Sequence, residues 1–392
     1  MAGSAENAPT WRSSFPAMGT RIDIIGWGGD GMAIVNAVVG IVARHEDMWS
    51  VFRPSSEVSQ LNVAVRDAAR GDGTSRCRAD SAQAGPGLVV SEETDRLLRD
   101  ALALAEATGG AFNPLIGPLV AAWDVKAMRA AYVAGAPLPP APCGHVVEAA
   151  LRASSWGLLS RVGERRWAMG VPGESVGGVD VPSPRLDLGG IAKGRTADAC
   201  RDLAVAMGAR GVLVSVGTSS VSVFGTRADG SSWRAGLRDP HGGPTSVAGV
   251  VELPAGGMAS LSTSGDNLGP LGGVGVGCAA ERAAGTASDR AAGREAGAAS
   301  DRRTRETPRE TSVGGGRVFD HHIIDPRTGY PARAGVRQVS VVASSGVLAE
   351  ALSTALLVDP SIDVHDVLAR WARVTGAPAS AKVVGLVRAA QG

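Results

Sequence analysis

The segment RLDLGGIAKGRTADAC contains an acid, two glycines and a lysine between a strand-like run and a helix-like run. Lysine is rare in this chain, where it occurs only at positions 126, 193 and 382. A helix N-terminus offers unpaired N–H groups, glycines let an anion approach the backbone, and Lys193 adds a full positive charge. The spacing therefore favours a phosphate-binding turn. A tight strand-to-helix turn with a solvated lysine fits equally well, since neither common nucleotide-binding glycine motif is present.

Three oxygen-bearing side chains share one face of the apolar run VLAEALSTALLV. Glu350, Ser353 and Thr354 stand at helix positions i, i+3 and i+4, so their oxygens point the same way. A buried carboxylate needs a partner, and oxygen ligands suit a hard cation such as Mg2+. The alternative is an ion pair between Glu350 and an arginine, with both hydroxyls bonded back to carbonyls one turn earlier.

A histidine precedes the turn in DHHIIDPRTGYP. His322 lies close to the turn residues Pro326 and Gly329, and its imidazole could act as an acid or base near neutral pH. The neighbouring His321 points to the opposite face if the segment is a strand, so at most one of the two histidines is catalytic. A purely structural histidine remains the alternative.

Large apolar side chains stand in the stretches FPAMGT, SVFRPSSEVSQLN and GGAFNPLIGPLVAAW, which read as loops, as does LSTSGDN. Met18, Phe52 and Phe112 are therefore candidates to flank a flat ring. Each of them is also an ordinary core residue by type.

Composition narrows the class of protein. The 392 residues are 44% hydrophobic and 20% charged, with a formal net charge of +1, which indicates a globular chain without a field to attract nucleic acid or an anionic membrane. The four cysteines show no CxxC spacing, so neither a zinc site nor a disulfide framework is predicted. The first residues lack a basic and apolar leader, and no stretch is long enough to cross a membrane, so a cytoplasmic protein is expected.

Hydrophobic periodicity predicts strands in TRIDIIGWG, GVLVSVGTSSVSVFGTR, RVFDHHIIDP and VRQVSVVAS, and helices in SEETDRLLRDALALAEATGG, GRTADACRDLAVAMG and VLAEALSTALLV. Residues 64–88 have no period and are predicted to be a disordered insertion. Residues 269–316 are rich in Gly, Ala, Arg and Ser, with too few large apolar residues to form a core, and are predicted to be a second one.

Taken in order, several stretches resemble the FAD:protein FMN transferase family, also called ApbE-like proteins. They are AMGT, SVFRPSSEVSQLN, GGAFNPLIGPLVAAWDV, RLDLGGIAKGRTAD, VSVGTSS, WRAGLRDP, LSTSGDN, HHIIDPRTGYP and AEALSTALLV. They cover roughly residues 15 to 360 outside the insertions. Several motifs in order are far more specific than any one alone.

The resemblance implies roles for individual residues. Flavin contacts fall on Met18, Phe52, Ala111, Phe112, Asn113, Asp187, Lys193 and Ile324. Ligands for Mg2+ fall on the carbonyl of Gly190 and on Glu350, Ser353 and Thr354. The catalytic histidine is His322. This chain carries Glu350 and Asn113 where the family usually has aspartate.

The implied fold is α+β, a single catalytic unit with largely antiparallel sheet and packed helices, interrupted by the low-complexity insertion. Residues 1–10 are expected to be a flexible tail and 11–392 the catalytic domain. The implied reaction is Mg2+-dependent transfer of FMN from FAD to a threonine hydroxyl of a target flavoprotein, with release of AMP. An FAD pyrophosphatase and a non-catalytic FAD-binding protein are the alternatives.

Overall fold

The computed structural model describes residues 9–70, 87–134, 136–172, 175–240, 246–265, 322–376 and 379–388. The strands are β1 (Thr10–Ala17), β2 (Thr20–Trp27), β3 (Leu88–Val89), β4 (Leu159–Gly163), β5 (Arg166–Met169), β6 (Gly211–Val216), β7 (Ser220–Gly225), β8 (Arg234–Arg238), β9 (Val247–Glu252), β10 (Met258–Gly265), β11 (Val336–Ala343) and β12 (Ala381–Arg388). The α-helices are α1 (Gly31–Trp49), α2 (Glu57–Arg70), α3 (Glu92–Ala107), α4 (Gly117–Ala122), α5 (Val125–Ala134), α6 (Gly144–Ala153), α7 (Ala192–Ala206), α8 (Gly346–Val358) and α9 (Val364–Thr375).

A seven-stranded sheet organises the molecule in the order β1-β2-β6-β7-β10-β11-β12. Every neighbouring pair in it is antiparallel. Two smaller antiparallel sheets have the orders β3-β5-β4 and β8-β9. The predicted α+β class with largely antiparallel sheet is therefore confirmed.

Helices α7 and α8 pack together and against the central strands of the large sheet. Alternate residues of β6 are fully buried, as expected for a strand with one face on a helical layer. Helix α8 is apolar on nearly every face and is buried over almost its whole length, which makes it the central helix of the largest hydrophobic cluster. The polar groups that α8 carries are thus held inside the protein.

The ends of two helices follow from their sequence. The Ser91 hydroxyl accepts a hydrogen bond from the Thr94 amide at 3.2 Å, and acids fill the first turn of α3, where the helix dipole favours them. Ser345 caps α8 through the Leu348 amide at 3.3 Å. Helix α7 has no side-chain cap of its own at Ile191, so its first amides depend on groups from elsewhere in the fold.

Several expectations need correction. Residues 64–70 are helical, because α2 runs from Glu57 to Arg70 and buries Val58, Leu61 and Val65 on one face. The stretch SVFRPSSEVSQLN therefore ends as a helix, and GGAFNPLIGPLVAAW contains α4. LSTSG belongs to β10.

Other expectations fall on the edges of the described chain. Thr10 already belongs to β1, so the predicted tail is not a tail throughout. The described part of RVFDHHIIDP forms an isolated bridge between Ile324 and Pro331 instead of a strand. Residues 1–8, 71–86 and the predicted insertion at 269–316 lie outside the described residues. No helix among the residues that the structure describes has the length and apolar content needed to cross a membrane.

Candidate active site

The glycine turn before α7 is held by its own side chains. The Asp187 carboxylate accepts a hydrogen bond from the Gly189 amide at 2.8 Å, and the Lys193 ammonium donates to the Gly189 carbonyl at 2.9 Å. The turn is also tied to its surroundings, since the Asp187 amide donates to the Pro114 carbonyl at 2.8 Å. Asp187 and Lys193 thus fix the path of the backbone that was predicted to approach a phosphate.

Asn62 anchors the strand-like segment that enters this turn. Its side chain donates to the Leu186 carbonyl at 3.0 Å and accepts from the Leu186 amide at 2.7 Å. A side-chain amide that pairs with both backbone groups of one residue imitates a neighbouring strand. Helix α2, which carries Asn62, is thereby linked to the turn.

Glu350 is buried and accepts hydrogen bonds from two donors. Its Oε2 accepts from the Gly194 amide at 2.7 Å, and its Oε1 accepts from the Ser220 hydroxyl at 2.5 Å. The Lys193 ammonium lies 3.5 Å from Oε1, so the ionic partner is a lysine and not an arginine. The glutamate also supplies the cap that α7 lacks. Glu350 therefore joins α8, α7 and β7 at one point.

The hydroxyls of Ser353 and Thr354 converge on one side chain of β10. The Ser264 hydroxyl lies 2.8 Å from the Ser353 hydroxyl and 3.0 Å from that of Thr354. Ser353 also donates to the Glu350 carbonyl at 3.0 Å, a bond to position i−3 and not i−4. The predicted shared face of Glu350, Ser353 and Thr354 is present in the structure.

This face offers oxygen atoms only, which is the ligand type that Mg2+ takes. It carries one carboxylate, and within the described ranges no three His, Cys, Asp or Glu side chains gather into a metal cluster. The remaining oxygens come from hydroxyls, with the carbonyls of the glycine turn held nearby through Lys193. The donor set fits a hard cation that keeps part of its water.

A second buried carboxylate, that of Asp198, contacts the first turn of α8. Asp198 of α7 accepts hydrogen bonds from Ser222 at 2.7 Å and Ser260 at 2.6 Å, and forms an ion pair with Arg201 at 3.1 Å. Its other oxygen accepts from the Gly346 amide at 2.6 Å, in the first turn of α8. Asp198 thus connects α7, α8, β7 and β10.

The AFN segment is buried against the glycine turn. A Cβ placed on Gly190 would lie 3.3 Å from the Phe112 ring, so ring and turn are in direct contact. The Asn113 side chain donates to the Ser154 carbonyl at 2.6 Å and accepts from the Leu115 amide at 2.8 Å. An aspartate could not make the first of these bonds when ionised, which gives the asparagine a local structural reason. Ala111 is also buried.

Met18 occupies the tight turn between β1 and β2. Met18 and Gly19 both have positive φ, at 51° and 67°, as the type I′ form of a two-residue hairpin turn requires. A methionine in the left-handed region is uncommon and costs energy, and such strain is found mainly at functional positions. The Met18 side chain packs against both of the larger hydrophobic clusters.

Phe52 lies in the turn between α1 and α2 with 82% of its surface exposed. It is therefore not a core residue. An exposed aromatic ring of this kind is available to stack on a planar ligand.

His322 and Ile324 belong to the segment before β11. Burial, with a contribution from Arg129, lowers the pKa of His322 to about 4, so its imidazole is neutral at neutral pH. Ile324 is buried in a third hydrophobic cluster with Leu119 and Trp123. Direct contacts connect the glycine turn to Phe112, to Lys193 and, through Lys193, to the oxygen face of α8. Met18, Phe52 and His322 lie on separate segments.

Several residues of this region are not among the predicted site residues. Ser220, Ser264 and Gly194 contact the predicted ligands, and Asn62 and Asp198 hold the elements that carry them. Ser220 and Ser264 are contained in the motifs VSVGTSS and LSTSGDN, so their positions were marked, but not their contacts.

A model of the ApbE family matches residues 18–288 and 309–375. The chain belongs to the ApbE family. Among curated relatives, an FAD:protein FMN transferase of Treponema pallidum is 31% identical over 324 residues, covering 78% of this chain and 73% of the relative. A protein of the same name from Rhodobacter capsulatus is 27% identical over 90% of this chain and 52% of its own length.

Solved ApbE structures share this fold. The flavin transferase ApbE from Vibrio cholerae superposes with a TM-score of 0.61 at 20% identity, over 97% of both chains. An ApbE protein from Thermotoga maritima gives 0.62 at 23% identity, again over 97% of both chains. The family predicted from the ordered motifs is confirmed, and the relatives' names state the transferase class that was predicted.

Proposed function

We propose that this ApbE protein is an FAD:protein FMN transferase that moves FMN from FAD to a threonine hydroxyl of a target flavoprotein and releases AMP. One observation carries the proposal. Lys193 contacts both the glycine turn, at 2.9 Å from the Gly189 carbonyl, and the oxygen face of α8, at 3.5 Å from Glu350. A turn suited to a pyrophosphate and a face suited to a hard cation therefore adjoin. The names of the relatives supply the reaction class.

The glycine turn binds the pyrophosphate in this scheme. Backbone amides at the start of α7 and the Lys193 ammonium offset its negative charge. In this scheme the side chains of Phe112, Phe52, Met18, Ala111 and Ile324 form apolar contacts with the flavin. Asn113 contacts it as a polar group. Asp187 maintains the turn through its bond to Gly189.

Glu350, Ser353, Thr354 and the Gly190 carbonyl would hold Mg2+. When bound there, Mg2+ supplies a Lewis acid beside the pyrophosphate, which neutralises charge as the anhydride bond breaks. The glycine turn and Lys193 would hold the pyrophosphate in one orientation beside this site.

The transfer needs no reactant other than FAD and the acceptor threonine. The threonine oxygen forms a bond to the FMN phosphorus, and the bond between that phosphorus and the bridging oxygen breaks, so AMP leaves with the bridging oxygen. In this scheme the hydroxyl proton passes to His322, whose imidazole is unprotonated at neutral pH.

The experiment uses purified protein with FAD and Mg2+, with and without a threonine-bearing flavoprotein acceptor. AMP release and the mass of the acceptor are measured together. We expect AMP only when the acceptor is present, and an acceptor heavier by FMN less one water. AMP at an equal rate without acceptor would show a pyrophosphatase, and unchanged bound FAD would show a binding protein, so both outcomes contradict the proposal.

A further inference from the structure

Helices α7 and α8 cap each other through a reciprocal pair of bonds. The Gly194 amide of α7 donates to Glu350 of α8 at 2.7 Å, and the Gly346 amide of α8 donates to Asp198 of α7 at 2.6 Å. Gly194 and Asp198 are four residues apart on α7, as are Gly346 and Glu350 on α8, so each pair lies on one helix face. Both amides belong to the first turn of a helix, where no partner exists within the helix.

The two helices touch between these bonds without any side chain. A Cβ on Gly194 would lie 2.3 Å from the Gly346 carbonyl oxygen, and a Cβ on Gly346 would lie 2.3 Å from the Gly194 carbonyl oxygen. Backbone contact of this closeness allows little sliding. The depth of α8 against α7 is thus set at the point from which Glu350 projects.

We infer that Asp198 is a positioning residue for the oxygen face of α8. Its carboxylate holds the first turn of α8, and that turn sets where Glu350, Ser353 and Thr354 lie relative to the glycine turn and Lys193. Asp198 touches none of the groups proposed to bind the cation or FAD. The inference rests on the proposed function only in taking that face as a cation site.

The surroundings of Asp198 require a carboxylate. Its oxygens meet an arginine, two hydroxyls and an amide, and the two charged side chains of the pair are each 5% exposed. An asparagine must turn its NH2 group toward either Arg201 or the Gly346 amide, and both are donors. With Arg201 holding the oxygen, the bond to Gly346 is lost.

The test compares Asp198→Asn with Asp95→Asn. Asp95 of α3 is also buried and also accepts from arginine, from Arg161 at 2.7 Å, but it ties α3 to β4 and β5, not to α8. Both substitutions remove a buried, paired carboxylate, so both lower the melting temperature. Only Asp198→Asn should change the cation face.

The first readout is Mn2+ affinity of the full chain, measured by calorimetry without FAD. We expect Asp198→Asn to weaken Mn2+ binding about 10–100-fold, as groups that orient metal ligands do, and Asp95→Asn to leave it unchanged. Ser260→Ala, which removes one donor to Asp198, should weaken it by a few-fold and serves if Asp198→Asn does not fold. In a Glu350→Gln background, Ser260→Ala should have no added effect. Mn2+ affinity unchanged in both Asp198→Asn and Ser260→Ala would overturn the inference.

The second readout does not depend on the cation. Hydrogen exchange of the first turn of α7 reports the bond from the Gly194 amide to Glu350. We expect faster exchange there in Asp198→Asn and wild-type exchange in Asp95→Asn. Failure of the wild-type protein to bind Mn2+ would refute the proposed cation site, and this exchange pattern would still decide the positioning role. Equal exchange in both variants would overturn it.

Discussion

Glu350 is the residue on which most of the candidate site depends, because it combines a capping bond, a hydroxyl bond and an ionic contact. A buried carboxylate needs such partners to offset its lost hydration. Lys193 supplies positive charge without covering both oxygens, so lone pairs remain for a cation. The same carboxylate can therefore serve structure and chemistry together.

Glu350→Gln tests the cation role. The change removes one charge with little change in volume, so we expect a folded protein whose Mg2+-dependent turnover of FAD falls at least about tenfold, equivalent to roughly 1.4 kcal/mol in the barrier. Glu350→Asp keeps the charge and should retain activity. The measurement is AMP release against Mg2+ concentration, with melting temperatures recorded alongside. An unaltered Mg2+ curve in the glutamine variant, together with a lower melting temperature, would leave Glu350 a structural residue.

Met18→Gly separates backbone from side chain at the hairpin between β1 and β2. Glycine adopts the left-handed conformation without strain, so the turn should persist while the methionine side chain is lost. We expect the affinity for FAD to fall about tenfold, or about 1.4 kcal/mol, by titration of flavin fluorescence. Affinity equal to that of the wild-type protein would exclude Met18 from the flavin site.

At the level of elements, the crossing of α7 and α8 explains why glycines stand at both contact points. No residue with a Cβ fits between the two backbones. The crossing also brings two helix N-termini together, which concentrates positive potential beside the glycine turn. The two helix N-termini thus add positive potential to that of the Lys193 side chain.

Gly194→Ala tests the crossing, and Gly40→Ala is its control. Gly194→Ala forces backbone against backbone, so we expect a loss of stability of about 1–3 kcal/mol together with weaker FAD binding. Gly40 lies on the exposed side of α1 with nothing within 4 Å of its added Cβ, and its replacement should stabilise the helix by about 0.5–1 kcal/mol. Urea unfolding and flavin titration measure both effects. Equal stability changes of the two variants would show that the crossing tolerates a side chain.

Sequence reasoning located the long helices and the oxygen face because their signals are local. The spacing of Glu350, Ser353 and Thr354 is a property of one helix. Their partners are not local, since Ser220 precedes Glu350 by 130 residues and only the folded sheet brings the two together. For the same reason the alternative interpretation of Glu350, an ion pair, named an arginine, whereas the ionic contact in the structure is with Lys193.

The elements that sequence reasoning missed have weak apolar patterns. Strand β10 carries Ser260 and Ser262, which are buried and satisfied by hydroxyl and carboxylate partners, so buried positions look polar in the sequence. Helix α2 buries a narrow apolar stripe amid polar residues. Hydrophobic periodicity therefore reveals neither the buried serines of β10 nor the apolar stripe of α2.

At the level of the whole molecule, buried histidines link stability to pH. The ring of His45 in α1 packs against the ring of Trp49, with the two centroids 4.1 Å apart. The His45 Nδ1 lies 2.9 Å from the Thr196 hydroxyl, which donates a hydrogen bond to the Ala192 carbonyl. Burial, with contributions from Arg44 and Arg195, lowers the pKa of His45 to about 3. The unfolded chain binds a proton at His45 below about pH 6.5, whereas the folded chain does not until about pH 3.

Stability should therefore fall as the pH drops below 6.5, because protons favour the unfolded state throughout that window. His45 contributes a slope of up to about 1.4 kcal/mol per pH unit, and His322 adds its own share down to about pH 4. Urea unfolding at pH 6.5, 6.0 and 5.5 measures the slope. His45→Gln removes the titrating group, so the free energy of unfolding of this variant should depend less steeply on pH, by up to about 1.4 kcal/mol per pH unit. A slope identical to that of the wild-type protein would refute the contribution of His45.

The order of strands in the large sheet has a consequence for synthesis on the ribosome. Strand β2 pairs with β6 through Trp27 and Gly211, so the partner of β2 emerges 184 residues later (211 − 27). At about 5–20 residues per second, the β1–β2 hairpin waits on the order of 10–40 s with one edge unpaired. An unpaired edge is a template for pairing with another chain. Nascent copies on one messenger RNA are thus exposed to mispairing at the free edge of β2 while these 184 residues are made.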